Sequence, residues 1–155
     1  MNPWIAFPAR LDAWAGQHLS ALTDLFLLGL RIHVAHAFFA SGLTKFADLE
    51  STVALFENEY RVPVLSPMLA AYAGTAAELA LPVLIVLGLF TRPAALALFV
   101  FNIVAAVSYP DISPAGVKDH WVWGTMIATL LFFGAGRWSL DRGLGRRGAA
   151  VRDPA

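Results

Sequence analysis

Arg31, His33 and His36 fall inside one apolar run, FLLGLRIHVAHAFFASGLTKF, at residues 26–46, which closes on Lys45 and Phe46. A run of that length and composition can cross a bilayer. A charge at the centre of one costs at least about 2.5–3.5 kcal/mol on insertion scales. Arginine keeps its proton under all ordinary conditions, so Arg31 needs a partner. Such a buried cation can fix helix register, hold a polar head group, or sit on a proton path. The two imidazoles add groups that titrate near neutrality, which makes them candidates for proton handling.

Depth suggests the partner. Arg31 lies nine residues into its span from Leu22, about 13 Å at the helical rise. Glu78 lies eleven residues from the matching end of the second span, about 16 Å in. Asn102 is nine residues into the third, about 13 Å, and Thr129 is about 12 Å from Arg137 on the fourth. The expectation is one polar layer in which Arg31 pairs with Glu78 beside Asn102 and Thr129. Pro82 would free the carbonyl of Glu78 four residues earlier. Two readings stay open: an ion pair that fixes register, or a polar pocket for a head group, proton or small ligand.

On a helical wheel Arg31, Phe38, Gly42 and Lys45 share one face, and His33 and His36 share another. Haem ligated within one chain needs two axial ligands at equal depth. The candidate partner His120, placed at the outer end of the fourth span, is about 13 Å off the level of His36. A metal held by His33 and His36 would need further ligands, and Glu78 is the only deep acid, so no metal site is expected. Lys45 is an outer-face candidate, reaching head groups or the acids Asp48 and Glu59. Phosphate loops, nucleophile elbows, zinc-protease helices and paired catalytic carboxylates are all missing, so no catalytic residue is assigned.

The elements that must position these residues follow from composition. The chain has 155 residues, 58% hydrophobic and 14% charged, too apolar for a soluble domain of this size. With 11 basic and 11 acidic residues it has no net charge to attract nucleic acid. It has no cysteine, which removes disulfides, thiolate metal sites and dithiol relays. The fold class is all-α, an integral membrane four-helix bundle with lipid as solvent, in a domain at residues 22–140. Its spans are placed at 22–45, 68–89, 93–109 and 120–136. Residues 1–21 form an interfacial amphipathic segment striped by Trp4, Phe7, Leu11, Trp14 and His18. They lack a basic start followed by an apolar core, so no cleavable signal is expected. A short amphipathic helix between the first two spans has Leu49, Val53, Phe56 and Tyr60 on one side and Asp48 as its N-cap. Residues 141–155 form a basic tail, expected to be disordered.

Charge sets the expected orientation. Arg10, Arg92, Arg137, Arg142, Arg146, Arg147 and Arg152 fall on one side. Lys45, Arg61 and Lys118 fall on the other, among six acids. By the positive-inside rule both termini are cytoplasmic in a bacterial inner membrane. Tyr72, Tyr109, Trp121 and Trp123 would then belt the outer face, and Trp138 the inner one.

The segments GLRIHVAHAFFASGLTKFADL, LFENEYRVPVLSP and AAELALPVLIVLGLFTRPAALALF resemble the DoxX family of small four-helix bacterial membrane proteins. The matching pattern is Arg31, then Gly42 and Lys45 as G-x-x-K, then Glu78, then the G-L-x-T-R turn of Gly88, Leu89, Thr91 and Arg92. The likeness covers roughly residues 22 to 140. It implies an auxiliary or membrane subunit of a redox or metal/sulfur-stress system. A quinone is the implied ligand, and a redox or peptide-modifying enzyme the implied partner. Relatives that work through cysteines share no such mechanism with this chain. Two alternatives remain: a non-enzymatic scaffold for a partner enzyme, and a small transporter, which would need a homo-oligomer for alternating access.

Overall fold

The computed structural model describes residues 3–145. They form five helices: α1 (Pro3–Ala47), α2 (Leu49–Asn58), α3 (Pro67–Leu87), α4 (Thr91–Ser108) and α5 (Pro114–Phe133). No strand occurs among the described residues. A further short helical segment runs over 140–145, so the start of the basic tail, expected to be disordered, is helical at 141–145; Arg146, Arg147 and Arg152 lie outside the described residues.

Local chemistry sets the boundaries. Asp48 caps α2 as expected, its carboxylate accepting the Ser51 N–H at 2.9 Å. Ser66 and Ser113 cap α3 and α5, each followed by a proline in the first turn, where a missing N–H costs nothing. Helix α5 therefore starts at Pro114, six residues before the expected start at His120, so His120 lies inside the helix. Helix α3 ends at Gly88 in a left-handed conformation (φ 64°) and runs on through Pro82. Helix α1 is continuous for 45 residues, with no break at the expected boundary between residues 21 and 22.

Among the described residues, three helices are long and apolar enough to cross a membrane: Leu22–Ala47 within α1, then α3 and α4. The outward surface is correspondingly apolar, with Leu25, Phe26, Ile32, Leu96, Val100 and Ile103 all exposed. Helix α5 packs as the fourth long helix of the bundle, mainly against α4, but Lys118, Asp119 and His120 dilute the apolarity of its first half. The core gathers Leu27, Leu30, Val34 and Phe38 with Ile85, Leu98, Ile127 and Leu130. Small residues bring the helices close, notably Ala70, Ala71 and Gly74 on α3 and Ala94 and Ala95 on α4. Helix α2 folds back on α3, burying Phe56 against Ala70 and Ala71 with Val53 and Tyr60 beside them.

The bundle has two ends. At the turn end, α3 passes into α4 through residues 88–90 and the chain leaves α5. At the loop end lie α2, the segment before α3 and the loop at 109–113.

Candidate functional site

The expected polar layer does not form; its members divide between the two ends. At the turn end the Arg31 guanidinium is spent on backbone carbonyls. Its Nε–H donates to Ile85 at 2.9 Å, and Nη1 donates to Ala135 at 3.0 Å and Trp138 at 2.7 Å. Nη2 donates to Val86. Ile85 and Val86 lie in the last turn of α3, where carbonyls lack the usual partner four residues on and carry the negative end of the helix dipole; Ile85 also accepts the Gly88 cap N–H at 3.1 Å. Arg31 thus clasps the end of α3 to the strap that follows α5. Gly88 belongs to the same clasp. A Cβ there would sit 2.5 Å from Ser139 Cβ and 2.9 Å from Arg31 Nη2. Asp141 completes it, accepting from the Phe90 and Thr91 N–H groups at 2.7 and 2.9 Å and the Thr91 hydroxyl at 2.8 Å. Asp24 on α1 holds the strap as well, accepting the Arg137 N–H at 2.7 Å.

At the loop end Glu78 pairs with Lys45, not with Arg31. Lys45 Nζ lies 2.6 Å from both carboxylate oxygens, and the Ser41 hydroxyl donates to Oε1 at 3.3 Å. Side-chain direction explains the correction. Gly42 lies against Glu78 while Arg31 reaches Ile85, so α1 and α3 run antiparallel. Each Cα–Cβ bond leans toward the N-terminus of its own helix. Lys45 leans toward the turn end and Glu78 toward the loop end, so the two converge; Arg31 and Glu78 diverge. The seven residues from Glu78 to Ile85 separate the two cation sites by about 10 Å. Gly42 makes the approach possible, since a Cβ there would lie 2.9 Å from Glu78 Cβ.

The pair borders a cavity of about 560 Å³ among α1–α5. Phe38, Phe101 and Trp123 form an apolar wall, with edge-on ring contacts at 6.2 and 5.5 Å from Phe38. Tyr60 stacks between Phe56 (4.6 Å) and Tyr109 (5.0 Å) at the loop end. Burial, with the Glu78 carboxylate adding to it, pushes the Tyr60 hydroxyl above its ordinary value. Ser108 is among the residues around the cavity, and its hydroxyl oxygen is itself buried and has no hydrogen-bond partner.

Asn102 is buried, but its partner is His120. Its amide N–H donates to the His120 carbonyl at 3.0 Å, and its oxygen faces His120 Nδ1 at 2.8 Å. With the amide so oriented, Nδ1 carries the proton and a neutral ring leaves Nε2 as the acceptor. Gly124 makes room, since a Cβ there would approach Asn102 Nδ2 to 3.3 Å. His120 lines the cavity together with Lys45 and Glu78.

The remaining candidates stand apart. Thr129 turns its hydroxyl back to the Thr125 carbonyl at 2.9 Å and joins no polar layer. His33 and His36 are both exposed on the outside of α1. Of the expected aromatic belt, Tyr72 and Trp121 are exposed, while Trp123 and Tyr109 turn into the cavity lining. The sequence reading missed Ser41, Tyr60, Ser108 and His120 as members of one site. Ser41 and Lys45, four apart around Gly42, were the available signal. No cluster of metal-ligating side chains occurs among the described residues.

The two clusters take up six of the eight motif residues: Arg31, Gly88 and Thr91 in the clasp, Gly42, Lys45 and Glu78 at the cavity. The DoxX family model matches residues 26–110, over half of the chain. The chain belongs to the DoxX family. No curated protein and no solved structure matches it. As a DoxX protein it is a membrane protein, with lipid against the apolar outer faces of its spans.

Proposed function

We propose that this DoxX protein binds a small amphiphile with a quinone-like head in the loop-end cavity, as an auxiliary or membrane subunit of a redox or metal/sulfur-stress system. The observation that carries the reading is the Lys45–Glu78 pair, Glu78 buried and Lys45 partly so, bordering an apolar cavity in whose wall the Ser108 hydroxyl lacks a partner. A volume of about 560 Å³ falls in the range of small-molecule sites, about 300–1,000 Å³. A ring carbonyl can accept from Lys45 Nζ or Tyr60, and from Ser108 once its buried hydroxyl turns into the cavity, and an isoprenoid tail suits the Phe38–Phe101–Trp123 wall. Glu78 and His120 can hold a proton beside the head. In this reading α5 is the fourth span, both termini are cytoplasmic and the loop end faces outward in a bacterial inner membrane. The arginines Arg92, Arg137 and Arg142 at the turn end support that orientation.

Extraction of the purified protein with organic solvent, followed by mass spectrometry, tests the binding claim. A near-stoichiometric quinone or similar amphiphile is expected from the wild type, and at least about tenfold less from Ala77→Phe, which fills the cavity. Equal amounts from both proteins would dismiss it.

A second reading is a scaffold for a partner enzyme. The same three exposed arginines, gathered around a shallow depression at the turn end, favour it. Loss of partner capture when Arg92 and Arg142 are replaced, with ligand content unchanged, would select this reading.

A further inference from the structure

His33 and His36 take no part in the clasp or the cavity. Both are exposed, and neither has a hydrogen-bond partner among the described residues. In the 26-residue span that starts at Leu22 they lie about 16 and 21 Å along a length of about 39 Å, in its middle third. Two imidazoles are therefore presented outward at a depth where no water can satisfy them. Polar groups at that depth face protein or a wet cavity, because hydrocarbon offers no partner.

Their neighbours narrow what covers them. On the helical wheel Gly29, His33, His36 and Ala40 fall within about 60° of arc. All four are exposed, and a Cβ added to Gly29 would meet nothing within 4 Å. Small residues one turn to either side of the histidines let another helix come close enough to hydrogen-bond.

We propose that this face of α1 packs against the same face of a second copy of the chain, the histidines hydrogen-bonding across a two-fold axis along the membrane normal. Polar complementarity argues for a second copy. A neutral imidazole carries one donor and one acceptor, so a histidine surface complements itself. Copies in one membrane share orientation, and a two-fold brings His33 and His36 of each to matching depth without further adjustment. The cavity lies among the helices of one protomer, so the seam leaves it intact.

The absence of cysteine makes the test direct. Single cysteines are introduced in native membranes as Gly29→Cys and Ala40→Cys, with Val100→Cys and Ile103→Cys on the lipid-facing side of α4 as controls, and then oxidised. Dimer-sized cross-links are expected at the two α1 positions, at least about fivefold above the α4 controls. Adding His33→Leu with His36→Leu to Ala40→Cys should abolish most of the product. His33→Asn with His36→Asn, which still donates and accepts, should retain it and shows that loss is not misfolding. Equal cross-linking on α4, none on α1, indifference to the leucine pair, or a product whose mass is not twice the chain would overturn the proposal. Ligand content of the monomeric protein is a separate readout, so failure here leaves the cavity reading standing.

Discussion

Lys45 and Glu78 meet because their helices run in opposite directions, each side chain leaning toward the other along the bundle axis, with Nζ 2.6 Å from both carboxylate oxygens. Arg31, on the same face of α1 almost four turns earlier, leans away from Glu78 and ends on carbonyls. Two cations on one helix thus have different kinds of partner, and their replacement should have different consequences.

Removing one member of a buried pair leaves a charge without compensation, at a cost of about 3–5 kcal/mol. Lys45 is 17% exposed beside the cavity, which places this pair at the low end of that range. Lys45→Met or Glu78→Met alone should cost about 3 kcal/mol, and the double variant much less. Denaturation in detergent through a double-mutant cycle measures the coupling. A coupling near zero would mean that the pair does not form.

Arg31→Leu should lose about 3–5 kcal/mol, because the carbonyls of Val86, Ala135 and Trp138 lose the guanidinium and that of Ile85 keeps only the Gly88 N–H. Combining it with Glu78→Leu should give no rescue, since the two residues share no contact. Recovery of expression or melting temperature in that double variant would restore the direct ion pair expected from depth alone.

Gly88→Ala strains the clasp from the other side, placing a Cβ 2.5 Å from Ser139 at a φ of 64°. A loss of about 1–3 kcal/mol is expected. A thermal melt indistinguishable from wild type would show that the strap moves aside freely.

Asp141 gives the clasp a pH dependence. Burial works to raise its pKa, but hydrogen bonds from Thr91 and Phe90, with the Arg31 charge, outweigh it and hold the carboxyl below its ordinary value. A depressed folded value means that the stabilisation is complete above the unfolded pKa, about 3.9, and fades as pH falls through the folded one. Asp141→Ala should cost about 0.5–2 kcal/mol at neutral pH, as loss of a helix cap does. The gap in melting temperature between wild type and variant should hold from pH 7 to 5 and close below about pH 4. A gap independent of pH would assign it to packing.

Much of this architecture could be read from residue order. The runs behind α1, α3 and α4 announced spans, Asp48 announced α2, and the G-x-x-K and G-L-x-T-R pieces pointed to the family, while one polar layer was expected where two clusters form. What failed was pairing. Counting residues gives depth, but not the lean of a side chain along its helix, and that lean decides whether Glu78 meets Arg31 or Lys45. His120 was misplaced because the Ser113–Pro114 cap starts α5 earlier than hydropathy suggests. Thr129 looked like a pocket residue only because its own backbone, which takes its hydroxyl, is invisible in a string of letters. The turn-end strap at residues 134–139 lacks regular structure, and nothing in its composition shows that its carbonyls wait for Arg31.

The Ser108 hydroxyl offers the most direct measurement. It lies buried in the cavity wall without a partner, so Ser108→Ala removes no hydrogen bond within the protein and should leave the ligand-free melting temperature unchanged or slightly raised. A short-chain quinone analogue should raise the wild-type melting temperature in proportion to the logarithm of its concentration, as binding to the folded state requires. The same analogue should bind Ser108→Ala about 5–10-fold more weakly, as loss of one hydrogen bond predicts. No concentration-dependent shift in the wild type, or an identical shift in Ser108→Ala and the cavity-filled Ala77→Phe, would contradict a ligand site beside Lys45 and Glu78.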